Sequence, residues 1–123
     1  MNIYESMEDY LEKILMLKQK QEVVRAVDLV RFMNYSKASV SIALKKLIAK
    51  GLIIHNEKNG DLSLTEEGMK IASNIYARHQ LLGDFFQKIG VGKEQAFIDA
   101  CKVEHEISEE TFEKLKNFVA TLK

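Results

Sequence analysis

The stretch "SKASVSIALKKLIAKGLIIHNEKNGDLSLT", residues 36–65, decides the fold of this chain. Ser36 is a good N-cap, Val40, Leu44, Leu47 and Ile48 recur at helical spacing with their side chains expected inward, and Gly51 supplies a left-handed stop. A helix is therefore predicted from Ser36 to about Lys50. Two short β-type runs follow, Leu52 to His55 and Leu62 to Leu64, around Asn59-Gly60, whose residues tolerate the positive φ of a tight turn. They read as a hairpin. Upstream, Ala26 to Met33 forms a short helix with Val27, Leu29, Val30 and Phe32 apolar, and Asn34-Tyr35 breaks the pattern before Ser36. Before that, Ile3 to about Gln19 places Met7, Tyr10, Leu11, Ile14, Leu15 and Leu17 to one side of an amphipathic helix. Helix-turn-helix followed directly by a hairpin is the layout of a winged helix, whose third helix enters the major groove while the hairpin reaches along the neighbouring backbone.

Downstream the pattern is helical throughout. Thr65 caps a long helix with Glu66 and Glu67 in its first turn and Ile71, Ile75, Leu82, Phe85 and Phe86 on its apolar face, and Gly90 to Gly92 ends it. Helices from about Lys93 to Glu106 and from Ser108 to about Leu122 complete the chain, the last with Phe112, Leu115, Phe118, Val119 and Leu122 at helical spacing. The expected fold is mainly α: a winged helix-turn-helix of three helices plus a β-hairpin over residues 1–64, then an all-helical domain over 65–123. At 123 residues, 46% hydrophobic and 29% charged, the chain has the balance of a compact globular protein. Its apolar runs fall far short of the roughly 20 residues of a bilayer span, and its first ten residues carry acids instead of a basic, then apolar, leader. A soluble, cytoplasmic protein is expected. A single cysteine, Cys101, forms no internal disulfide and suits a reducing compartment.

Formal net charge is zero, so any affinity for nucleic acid must come from local segregation, and the charges do segregate. Lys37 to Lys58 holds five lysines (Lys37, Lys45, Lys46, Lys50, Lys58) against Glu57 alone, whereas Asp99 to Lys114 holds six acids against Lys102 and Lys114. The first stretch suits phosphate and the second a cation. On the predicted third helix, Ser36, Lys37, Ser39 and Ser41 are placed to approach base edges or phosphates, and Lys45, Lys46 and Lys50 to neutralise phosphates. No arginine or glutamine stands on that helix, so backbone contacts should carry much of the affinity and salt should weaken it strongly. The plain alternative is a lysine-solubilised helix in a unit that makes protein contacts. His55 in the wing reads as a surface residue.

In "ACKVEHEIS", residues 100–108, Cys101, Glu104 and His105 stand at i, i+3 and i+4, one face of a helix. Thiolate, carboxylate and imidazole together suit a divalent first-row transition metal. The same three residues also fit a thiol redox switch, or a chance neighbourhood of a buried cysteine and surface polar groups. Asp9 and Glu12 at i and i+3 on the first helix, and His79 on the fourth, are further donors, each with an ordinary solvated or packed reading.

Taken together, "SMEDYLEKILML" (residues 6–17), the helix-turn-helix, "YARHQLLGDFF" (76–86) and "ACKVEHEIS" resemble, in order and spacing, the diphtheria toxin repressor and manganese transport regulator family of metal-dependent transcriptional regulators. The resemblance spans essentially the whole chain. It implies an N-terminal winged-helix domain, an all-helical dimerisation domain, and metal bound where the first helix meets the fourth and fifth. The implied ligands are Asp9, Glu12, His79, Cys101, Glu104 and His105. Cys101 matches iron-type members and Asp9 manganese-type members, so the chain is a hybrid. Gly83 stands where both branches often have glutamate and Phe97 where iron-type members have histidine, which disfavours a full iron-type ancillary site while leaving room for a second ion on Asp9, Glu12 and His79 with Glu104 bridging. Ala38 and Ile42 replace a proline and a glutamine that touch DNA in iron-type relatives, so the operator sequence does not carry over. Ending just after the helical domain, the chain is expected to lack the SH3-like third domain of longer members.

The function expected from the resemblance is a homodimeric metal-dependent repressor of metal-ion homeostasis. Fe²⁺ or Mn²⁺ would activate it, with Zn²⁺ able to bind in vitro, to occupy a palindromic double-stranded DNA operator whose half-sites lie about 34 Å apart. Because the ligands must lose their protons, activation should weaken in acid. The rival keeps DNA binding but makes Cys101 a redox sensor with no regulatory metal. An enzyme is not expected: the sequence offers no Gly-rich phosphate loop, nucleophile triad or small organic substrate site, and no membrane role.

Overall fold

A computed structural model describes residues 3–122, with side chains from Ser6 onward, so the outer limits of the expected domains, Met1 and Lys123, lie outside the described residues. The element order is α1 (Ile3–Lys18), α2 (Ala26–Met33), α3 (Lys37–Ala49), β1 (Ile53–His55), β2 (Leu62–Leu64), α4 (Glu66–Lys88), α5 (Lys93–Val103) and α6 (Glu109–Ala120). Compact packing divides the chain into two units after Ser73, within α4. No helix among the described residues is long and apolar enough to cross a membrane.

The first unit is a winged helix. α1 contributes Tyr10, Leu11, Ile14 and Leu17 to its core, α2 Leu29, α3 Val40, Leu44 and Leu47, and the wing Leu52, Ile53 and Leu62. The helix ends follow from their cap residues. Asn34 closes α2 in the left-handed conformation (φ 57°), Ser36 Oγ accepts the Ser39 N–H at 3.1 Å to open α3, and Gly51 (φ 73°) turns the chain out of α3 into the wing. β1 and β2 pair antiparallel, Ile53 with Leu64 and His55 with Leu62, and Gly60 (φ 78°) makes the turn as expected for Asn59-Gly60. One expectation fails here: Ile48 is 42% exposed. Val40, Leu44 and Leu47 repeat at i, i+4 and i+7, and Ile48, rotated about 100° beyond Leu47, falls on the shoulder of that stripe.

Two polar devices fix the wing. Asp61 accepts from Lys18 Nζ (2.6 Å), the Val24 N–H (2.9 Å) and Ser63 Oγ (3.1 Å), joining the end of α1, the α1–α2 loop and β2. Burial would raise its pKa, but these donors and the lysine charge prevail and hold it below the ordinary carboxylate value. At the start of α4, Thr65 N–H donates to Leu52 O (3.1 Å), and Thr65 Oγ1 donates to Gly51 O (2.7 Å) while accepting the Gly68 N–H (3.1 Å). Gly68 sits so close that a Cβ there would lie 2.0 Å from Leu52 O.

The second unit comprises the rest of α4 with α5 and α6. Ile75, Leu82, Ala96, Ala100, Phe112 and Val119 are its buried apolar side chains. Small residues on α5 let helices approach closely, and Gly83 on α4 does the same: a Cβ there would meet the Phe97 ring at 2.2 Å. Ser108 caps α6 by accepting the Thr111 N–H at 3.1 Å. α5 stops at Val103, short of the expected Glu106. Glu104 still makes its helical bond to Ala100 O (2.9 Å), but Glu106 N–H turns to Val103 O (2.9 Å), tightening the chain before Ser108.

Two substitutions test these devices. Gly68→Ala drives a methyl into a backbone carbonyl that cannot rotate away, and should lower unfolding free energy by about 1–3 kcal/mol in denaturant melts. Asp61→Asn should cost about 1 kcal/mol near neutral pH, the charge-assisted bonds being discounted for their partial exposure. Because the folded pKa is depressed, Asp61 contributes its stability above its unfolded value of about 3.9, and that contribution is lost as pH falls through the folded pKa. The gap between wild type and Asp61→Asn should therefore be constant above about pH 5 and close in stronger acid.

Candidate metal centre and nucleic-acid interface

Burying Val40, Leu44 and Leu47 turns the opposite side of α3 outward. Lys37, Ala38, Ser39, Ser41, Ile42, Lys45 and Lys46 are exposed on it, Ser36 and Lys50 are exposed at its ends, and Lys58 is exposed in the wing. Ser36 is partly committed, since its hydroxyl caps the helix and donates to Ser39 Oγ at 2.9 Å. The unpaired amides of the first α3 turn give that exposed end a partial positive charge. Sequence reading missed Arg25. Its Nε donates to Asn59 O at 2.7 Å and its stem lies against Gly60, fixing an exposed guanidinium at the wing tip. A single basic residue so far from the wing in sequence carries no spacing signal.

Within the second unit, His79, Cys101 and Glu104 each offer one donor atom within 4.8 Å of the others. His79 comes from the middle of α4, Cys101 from the last turn of α5, and Glu104 from the residue that ends α5. His79 Nδ1 lies 2.9 Å from Glu104 Oε2 and 3.6 Å from Cys101 Sγ. His105 Nε2 faces the other Glu104 oxygen at 3.4 Å. Glu104 is fully buried, and the side chains of His79 and His105 are 8% and 4% exposed. Cys101 is partly exposed. Of the six ligand candidates, His79, Cys101 and Glu104 form one three-donor group in this unit, and His105 meets it through Glu104. Asp9 and Glu12 lie on α1 in the first unit. Asp9 is partly buried, and Glu12 is buried with Oε1 3.2 Å from Lys13 Nζ. Glu12 Oε2 is buried and accepts no hydrogen bond among the described residues.

These distances fit a metal ion. With metal–sulfur and metal–nitrogen bonds of about 2.3 and 2.0 Å, two such donors on one tetrahedral ion stand about 3.5 Å apart, and the Cys101–His79 separation is 3.6 Å. The donor types, sulfur, nitrogen and carboxylate oxygen, suit a divalent transition metal and count against magnesium or calcium. Electrostatics agree. Burial alone would lower the His79 pKa, but hydrogen bonds to Cys101 and Glu104 and the Glu104 charge raise it to about 10. The pocket is thus a place where a positive charge is stabilised, and a proton and a metal ion compete for Nδ1. A buried carboxylate oxygen without a donor, as at Glu12, is likewise costly unless a cation serves it.

Gly83 and Phe97 are matched in volume. The Phe97 ring fills the space above Gly83 and lies 5.1 Å from the His79 ring, centroid to centroid. An apolar wall therefore stands on this side of the imidazole. Arg78, next to His79, is buried and also escaped the sequence reading; its partners are carbonyls beyond the end of α5, which no helical period reveals.

Comparison with known proteins agrees with both halves. Residues 2–60 match the N-terminal DNA-binding domain of the iron-dependent repressors, and residues 65–123 match their metal-binding and dimerisation domain. A relative in Methanocaldococcus jannaschii, an uncharacterised HTH-type transcriptional regulator, is 32% identical over 97% of this chain and 96% of its own length. The HTH-type transcriptional regulator MntR of Bacillus subtilis is 32% identical over 93% of this chain and 80% of its own. Among solved structures, the manganese regulator SloR matches with a TM-score of 0.82 at 28% identity over 93% of this chain, and a manganese-dependent transcriptional repressor in complex with manganese with 0.85 at 25% over 93%. The chain spans about half the length of those two structures, 53% and 52%. The chain belongs to the diphtheria toxin repressor and manganese transport regulator family, whose members are metal-dependent, DNA-binding transcriptional regulators and not enzymes.

Proposed function

We propose that this protein is a cytoplasmic, homodimeric repressor of metal-ion homeostasis genes that binds a palindromic operator when Fe²⁺ or Mn²⁺ is abundant. The observation that carries the metal reading is the three-donor group of His79, Cys101 and Glu104. Asp9 and Glu12 from the winged-helix domain (1–64) and His105 from the helical domain (65–123) complete the ligand set. One ion, or two bridged by Glu104, would supply the positive charge that these donors share. On the protein's side, His79 would give up its Nδ1 proton, Cys101 would bind as thiolate, and the carboxylates would exchange their present partners for the ion. Ligands drawn from two domains favour whichever arrangement satisfies them all, so metal shifts the population toward the DNA-competent form. Similar structures include a manganese-dependent repressor in complex with manganese and ScaR with bound Zn²⁺ or Cd²⁺, which supports a divalent ion here. Zn²⁺ should bind this thiolate-bearing set more tightly than Mn²⁺ in vitro, so the ion used in the cell also depends on availability.

On the DNA side, exposed Ser36, Lys37, Ala38, Ser39, Ser41 and Ile42 face the major groove, and Lys45, Lys46, Lys50 and Lys58 meet phosphates. The test is selection of bound duplexes from a random library with Mn²⁺, with anaerobic Fe²⁺, and with chelator. A palindromic site should emerge with metal, and its affinity should fall about 5- to 150-fold on chelation. Equal affinity in all three conditions sinks the proposal. Lys45→Ala and Lys46→Ala should weaken all sequences alike, each lowering the slope of log affinity against log salt by about 1. The partly exposed Cys101 thiol 3.6 Å from His79 supports the redox reading as the second choice. Peroxide treatment of the metal-free protein separates the two: a change in DNA affinity that Cys101→Ala abolishes, with no metal response, establishes the redox sensor.

A further inference from the structure

Arg78 is 8% exposed, and a guanidinium cannot shed its charge to relieve burial. Its partners are specific. Nη1 donates to Ile107 O at 2.6 Å and to Glu104 O at 3.2 Å, Nη2 pairs with Glu109 Oε2 at 2.9 Å, and the Phe112 ring backs the group at 5.2 Å. Nε is buried with no hydrogen bond among the described residues, so the fork at the far end fixes the orientation. Two of the acceptors are carbonyls at and beyond the end of α5, where helical partners run out. The turn they define, Glu104 to Ile107, carries Glu104 and His105. On α4, the residue after Arg78 is His79, whose Nδ1 meets the Glu104 carboxylate at 2.9 Å. Consecutive residues of one helix thus hold Glu104 twice, by its backbone and by its side chain.

We propose that Arg78 is a positioning residue for the metal centre: by bridging the Glu104 and Ile107 carbonyls it presets the turn that aims Glu104 and His105, and so sets metal affinity without donating a ligand. This rests on the metal reading above. Outer-shell groups that orient ligands typically govern metal affinity by about 10- to 100-fold. Lysine keeps the charge but has no planar fork to span two carbonyls and a carboxylate together.

The experiment is a Co²⁺ titration of the full chain, read by visible and thiolate charge-transfer absorption, on wild type, Arg78→Lys and Glu109→Gln. Wild type should bind Co²⁺ with a Cys101-dependent charge-transfer band; absence of that band sinks the metal reading itself. Arg78→Lys should bind about tenfold more weakly, with a shifted spectrum and, in the metal-free state, faster amide exchange from Glu104 to Ser108. Glu109→Gln removes only the solvent-exposed partner, 63% exposed, and should stay within about twofold of wild type. If Arg78→Lys folds and matches wild type in affinity and spectrum, the positioning role is wrong and the metal reading stands. Should Arg78→Lys fail to fold, Phe112→Leu loosens the guanidinium while keeping an apolar side chain. Weaker Co²⁺ binding with an altered spectrum then supports the proposal, and wild-type binding overturns it.

Discussion

One buried negative charge organises the helical unit. A carboxylate as enclosed as that of Glu104 is tolerated only where positive or donating groups meet it. Here imidazoles face both of its oxygens, His79 at 2.9 Å and His105 at 3.4 Å, while Arg78 holds its backbone carbonyl. The surrounding packing serves that arrangement. Ala96 and Ala100 keep the buried side of α5 slim, and Phe97 takes the volume that any side chain at Gly83 would need. The imidazole of His79 is left between a ring wall and two anionic or polarisable donors.

The winged unit obeys a different constraint: it must bury one face of α3 while leaving the other bare. Val40, Leu44 and Leu47 satisfy the core, so no apolar contact asks anything of Lys37, Ser41 or Lys45. Rigidity comes from the edges of the unit. Asp61 ties the wing to α1, and Thr65 with Gly68 seats the first turn of α4 on the carbonyls of Gly51 and Leu52. The exposed face of α3, proposed above to meet DNA, would gain from such fixing, since conformational freedom lost before binding does not have to be lost during it.

Hydrophobic period and cap residues made the eight elements legible, because each rests on local chemistry: Ser36, Thr65 and Ser108 at helix starts, Gly51 and Gly60 at reversals. What escaped depends on contacts distant in sequence. At the early end of α5 the Glu104 and Ile107 carbonyls accept from Arg78, on another helix. The burial of Ile48 was overestimated because a hydrophobic residue at the edge of a stripe has the same spelling as one at its centre. The candidate metal centre was partly legible for the same reason in reverse. Cys101, Glu104 and His105 are close in sequence and could be placed on one face, whereas nothing in "YARHQLL" says that its histidine meets them.

The protonated His79 bears on what an entering ion can accomplish. Its folded pKa, about 10, exceeds the ordinary 6.5, so its interactions with Cys101 and Glu104 contribute stability fully below about pH 6.5 and lose it only as pH rises through about 10. At neutral pH the metal-free centre already holds a compensating cation, the proton. An ion that takes its place exchanges one positive centre for another, and the helical unit gains less from metal than a site of bare carboxylates would. Any decisive gain must then come from donors that a proton on His79 cannot serve. On the reading proposed above, Glu12 is such a donor, with a buried Oε2 that accepts no hydrogen bond among the described residues, and the size of the coupling it would supply sets the response. Moving a two-state population from 1:99 to 99:1 requires about 5.5 kcal/mol, whereas allosteric couplings commonly amount to about 1–3 kcal/mol. A coupling of that common size changes DNA affinity by about 5- to 150-fold between the metal-free and the metal-loaded protein, so on the proposed reading metal raises operator occupancy by a bounded factor and does not switch it completely.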